Sequence, residues 1–111
     1  MRTRGFFQGK TALAFWRSNS PTLNDKVIKD ELNKAAKFAV ENGYDFLGGV
    51  VGTGTNTKGL ARLIPLVDMV RPRYLIVNDP TLLEGSDCVH EFFVKTITEQ
   101  YGVKVLYTSK A

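Results

Sequence analysis

Four short apolar runs, each separated from the next by a stretch with helical spacing, constrain this chain more than anything else in it. They occupy residues 11–16, 45–51, 74–77 and 103–107. An unbroken apolar run that short suits a strand buried on both faces, the usual setting of a parallel sheet. After the first run, Thr22 is a plausible N-cap and Asp25 a favourable first-turn acid. Val27, Ile28, Leu32, Ala35, Ala36 and Ala39 then make one apolar stripe, and Gly43 supplies the stop. A second helix is expected over residues 60–70, with Leu60, Leu63, Ile64 and Val67 on one face. Pro65 should bend it or sit in its first turns, and Pro72 closes it. A third is expected to start at Ser86 or Asp87 and to end at Gly102. Its inward residues are expected to be Val89, Phe92, Phe93, Thr96, Ile97 and Tyr101. Strict alternation with short connections predicts an α/β three-layer sandwich. Its four-stranded, mostly parallel sheet should run in the order 2-1-3-4, with helices on both faces.

In such sheets ligands sit beyond the carboxyl ends of the strands. Those ends are residues 17–21, 52–59, 78–87 and 108–111. The chain has 111 residues, enough for one domain, expected over 10–111 and preceded by an irregular basic arm over 1–9 that carries Arg2 and Arg4. No apolar run approaches the ~20 residues that span a bilayer, and no secretory signal is legible, so the expected compartment is cytoplasmic with no membrane partner. Cys88 is the single cysteine, which excludes an internal disulfide and a cysteine-rich zinc site. The net charge of +4 is uneven: residues 1–62 hold ten Lys/Arg against five Asp/Glu, whereas residues 63–111 hold five against six. A basic amino-terminal half is compatible with a polyanion, although a solvated basic face is the commoner meaning of such a charge.

Local motifs for chemistry are sparse. Gly52 and Gly54 give Gly-x-Gly, but Thr57 stands where the dinucleotide fingerprint has its next glycine. The P-loop pattern fails as well, because Lys58 precedes Gly59. A phosphate at the start of the second helix stays physically open, near Lys58 and Arg62. His90 is the only histidine and lies two residues from Cys88, so the pair would point to different helix faces. No metal and no cofactor are expected. Arg17, Ser18, Asn19 and Ser20 end the first strand with a cation able to meet a phosphate bidentately and hydroxyls beside it. An ordinary turn is the simpler reading of Ser18-Asn19-Ser20-Pro21.

Several of these segments together resemble the catalytic domain of the serine recombinases, the resolvases and invertases. Phe15-Trp16-Arg17 corresponds to the family's first strand end, residues 22–42 to its helix, and Gly43-Tyr44 to its join to the second strand. Leu75-Ile76-Val77 looks like its third strand and Gly102-Val103-Lys104-Val105 like its last helix-to-strand step. The resemblance covers roughly residues 10–109, rests on order and spacing, and implies a resolvase-like fold of flavodoxin-like topology. It implies a role in DNA recombination or in a mobile element. The functional positions depart from the family. Its nucleophile falls on Asn19, with Ser18 and Ser20 out of register by one. Its second motif keeps only Gly54, and Leu82 and Gly85 stand where arginines are expected. Only Arg17 is kept. The expectation is a vestigial site at Arg17–Ser20, no strand cleavage, and action through weak DNA binding or through a protein partner, a second copy included. Arg17, Lys58, Arg62, Arg2 and Arg4 are the candidate phosphate contacts. The alternatives are a small flavodoxin-like phosphate-binding module or enzyme using residues 52–59, and an interaction domain with no ligand.

Overall fold

The computed structural model of the protein describes residues 10–20, 22–52, 57–79 and 88–108. The strands are β1 (Thr11–Arg17), β2 (Asp45–Gly52), β3 (Tyr74–Val77) and β4 (Lys104–Tyr107), alternating with helices α1 (Asp25–Glu41), α2 (Thr57–Val70) and α3 (Cys88–Lys95). α3 runs on into a π turn, Thr96–Gln100. The sheet is parallel throughout, in the order β2-β1-β3-β4. β1 is central, which accounts for its composition: Ala12, Leu13, Ala14, Phe15 and Trp16 are all buried.

Alternation along β1 feeds two separate cores. Leu13 and Phe15 point to the face covered by α2 and the α3 region, where they meet Leu63, Val67, Leu75, Val77, Ile97 and Val103. Ala12, Ala14 and Trp16 point to the other face, against Ala35, Ala39, Val51 and Ile76. The small alanines of β1 and α1 oppose each other, which lets that helix lie close to the sheet. Trp16 fills the end of this layer, and its Nε1 donates to Glu31 Oε1 at 3.0 Å. Burying each large aliphatic side chain contributes about 1.5–3 kcal/mol.

β2 pairs with β1 through a bulge. Ala12 faces Phe46 and Ala14 faces Gly49, so three steps along β2 match two along β1. Gly48 takes the extra step at φ +119, a region that favours glycine. Gly49 lies so close to β1 that a Cβ there would stand 2.4 Å from the Ala14 carbonyl oxygen. The bulge inverts the alternation: Phe46 and Val51 both pack on the α1 side, whereas Val50 packs on the other.

Several local expectations are corrected. The N-cap of α1 is Asn24, whose Oδ1 accepts from Val27 N at 2.9 Å. Thr22 belongs to the preceding turn, where its carbonyl accepts Ser20 Oγ. α2 starts at Thr57 and not at residue 60. Gly59 explains the earlier start: a Cβ there would lie 3.0 Å from Phe15 Cε1, so the missing side chain lets the first turn sit on that ring. The expected loop over 52–59 is therefore part strand and part helix, and residues 53–56 fall outside the described residues. Pro65 lies well inside α2, on its exposed side. Phe92 is 64% exposed and not inward, because successive helical positions cannot both face the core and Phe93 takes that place. The cap expected at Ser86 or Asp87 falls outside the described residues.

Candidate functional site

The carboxyl edge of the sheet is where this fold places ligands, and Arg17 stands there as the last residue of β1. Backbone pairing between β1 and β3 ends at Phe15 and Val77. The Asn78 side chain extends it. Asn78 Oδ1 accepts from Arg17 N at 2.7 Å, and Asn78 Nδ2 donates to the Arg17 carbonyl at 2.9 Å. On the other side, Ser18 N donates to the Gly52 carbonyl at 2.7 Å. The end of β1 is thus pinned to both neighbours. Arg17 Nη1 pairs with Asp79 Oδ2 at 2.9 Å, both side chains about a third exposed (35% and 29%). The guanidinium faces the segment beginning at Asn78.

The turn that follows is internally bonded. Ser18 is buried, 1% exposed, and its Oγ accepts from Ser20 N at 3.1 Å. Ser20 Oγ donates to the Thr22 carbonyl at 2.8 Å. Asn19 is exposed. The most accessible side chain of the three therefore carries an amide, which is no nucleophile toward phosphorus, while both hydroxyls serve the turn. Arg62 is exposed on α2 and its Nη2 lies 3.5 Å from the Val51 carbonyl, across from the Arg17 end of the neighbouring strand. Lys58 lies in the first turn of α2, with its side chain outside the described set, and Arg2 and Arg4 fall outside the described residues. The structure thus brings Arg17, Ser18, Asn19 and Ser20 together at one edge.

Asn78 and Asp79 are the residues that sequence reasoning did not single out. The signal available was Asn-Asp-Pro directly after a fully buried strand, which reads first as a turn. Among the described residues no group of three His, Cys, Asp or Glu side chains is placed to hold a metal. The pairing considered between Cys88 and His90 concerns side chains outside the described set. No described helix is long and apolar enough to cross a membrane. Comparison with protein-family models, curated proteins and solved structures finds no match to the chain.

Proposed function

We propose that this protein is a serine-recombinase-like domain, associated with DNA recombination or a mobile element, that lacks strand cleavage and acts by binding DNA. The observation that carries the reading is the carboxyl edge: Arg17 is fixed at the end of the central strand, and the position two beyond it is an exposed asparagine. Cleavage would need a hydroxyl there and several cations around the pentacovalent phosphorus. Ser18 and Ser20 are held in the turn, and Arg17 is opposed by Asp79. Loss of a single such electrostatic donor typically costs ~10²–10³ in rate. The net charge of +4 supports a weak, sequence-independent affinity for DNA.

Two assays test the reading. Electrophoretic shift of duplex DNA is expected at low salt and is expected to vanish steeply as salt rises. No shift at low salt with concentrated protein would replace DNA by a protein partner. Incubation with supercoiled DNA under a denaturing quench is expected to give no covalent adduct. An adduct abolished by Ser18→Ala or Ser20→Ala would restore the enzyme.

A further inference from the structure

The amino edge of the sheet, opposite the Arg17 end, holds a hollow of about 350 Å³ lined by Arg71, Pro72, Arg73, Tyr74, Tyr101, Gly102 and Lys104. Three of those side chains are cations. Their placement comes from the fold and not from local sequence. Arg73 immediately precedes β3, and its backbone is tied on both sides, to Thr11 of β1 and, through its carbonyl, to Lys104 N of β4 at 3.0 Å. Arg73 and Lys104 are thus joined through the backbone, and both line the hollow. Both are exposed, and neither has an ion-pair partner among the described residues.

The opposite wall is preorganised. Arg71 follows α2 in the left-handed region, φ +52, and caps the helix by donating its N–H to the Val67 carbonyl. A non-glycine residue in that conformation is uncommon and strained by about 1–3 kcal/mol. Its side chain is fixed: Nε donates to the Asp68 carbonyl, Nη2 to Asp68 Oδ1, and the guanidinium lies over the Tyr101 ring at 5.3 Å. Tyr101 OH donates to the same Asp68 oxygen at 3.0 Å. The π turn Thr96–Gln100 carries the chain to Tyr101, whose N–H returns to the Thr96 carbonyl. Such turns occur frequently at functional sites. On the far side Tyr74 packs edge-on against Tyr44, over which Lys10 Nζ lies at 5.7 Å. Two cation–ring contacts, Lys10 with Tyr44 and Arg71 with Tyr101, thus lie along one edge of the sheet.

Cations that hold a phosphate beside rings that hold a base are the elements of single-strand recognition. A duplex presents a convex backbone with its bases stacked away, and a concave hollow of this size, within the ~300–1,000 Å³ range of small-ligand sites, suits one nucleotide. We propose that the amino-edge hollow binds one nucleotide unit, its phosphate held by Arg73 and Lys104 and its base beside the Tyr101 ring. The nucleotide comes from a single-stranded nucleic acid; the proposal deepens the DNA-binding reading and rests on it.

The test compares oligothymidylate and thymidine monophosphate. Binding of each to isotope-labelled protein is followed by amide shifts, and oligonucleotide affinity by fluorescence anisotropy at low salt. Arg73→Ala/Lys104→Ala removes two exposed cations of the hollow. Lys34→Ala/Lys37→Ala removes two exposed cations of α1 and matches the charge change. The expected result is shifts clustered at Arg73, Gly102 and Lys104, and an affinity loss of about tenfold or more in the first double variant only. Equal losses in both variants would overturn the hollow and leave the DNA-binding reading standing. Monophosphate binding in the hollow without oligonucleotide binding would overturn the single-stranded occupant in favour of a free nucleotide, and would leave the DNA-binding reading to the duplex shift. No binding of either probe would overturn the hollow, and absence of the duplex shift as well would overturn the DNA-binding reading.

Discussion

Asn78 acts as a length of strand made from a side chain. It supplies one donor and one acceptor to Arg17, as a backbone residue of β3 would have done. Asn78→Ala leaves a partly buried N–H and a carbonyl without those partners. The expected loss is on the order of 1–3 kcal/mol in urea denaturation, with the sheet otherwise unchanged. Asn78→Asp, which keeps the acceptor and loses the donor, should fall between the two. At the other edge, the hydrogen bond to Asp68 is the main reason that Tyr101 titrates above its ordinary 10.0. Partial desolvation and the Asp68 charge add to the rise, and Arg71 opposes it. The protonated phenol is the form that bonds. Its contribution to stability is full below 10.0 and is lost as pH rises through the higher folded value. Asp68→Asn is expected to bring the Tyr101 transition down toward 10.0, read from the tyrosine ring resonances against pH. At this scale the sequence was informative where a residue's chemistry is unusual for its place, as with Arg17 ending an apolar strand. It was silent where an ordinary turn former takes a second task, as with Asn78.

Among the elements, β3 and α1 were legible because their patterns admit one reading. Three consecutive fully buried positions after a half-buried tyrosine do not fit an amphipathic helix, and the α1 stripe holds its period from Val27 to Ala39. β2 was less so. Its two glycines read as weak strand, whereas Gly48 makes the bulge and Gly49 the close approach to Ala14. Both need knowledge of what lies alongside. Gly49→Ala would place a methyl 2.4 Å from a backbone carbonyl oxygen and cannot be relieved by a rotamer change. It is expected to cost about 1–3 kcal/mol or more, with hydrogen exchange rising first along β2. The start of α2 was misplaced for a similar reason: Gly59 looks like loop, and its role is to admit the Phe15 ring.

On the scale of the whole molecule, the two faces are unequally covered. α1 alone covers one face of the sheet, and α2 with the α3 region covers the other. That division follows from the strand order, because a right-handed crossover from β1 to β2 and one from β2 back past β1 to β3 must lie on opposite faces. Layering was therefore readable from the alternation of runs. The amino-edge hollow was not. It is assembled from residues at the ends of elements and in the turns that join them, and its three cations come from the half of the chain whose net charge is negative. Charge counted along a sequence does not report charge gathered at an edge.

The central place of β1 also sets a schedule. Of the four described strands β1 leaves the ribosome first, and both of its partners, β2 and β3, come after it. One full crossover must be synthesised before its first edge is covered, and a second before the other is. Until Tyr74–Val77 has emerged, an apolar strand with an open ladder edge persists in the growing chain. Nascent chains stalled before β3 are expected to be digested rapidly by protease, and chains stalled beyond β4 to resist. The segment that ends up most deeply buried is thus the one that waits longest for shelter.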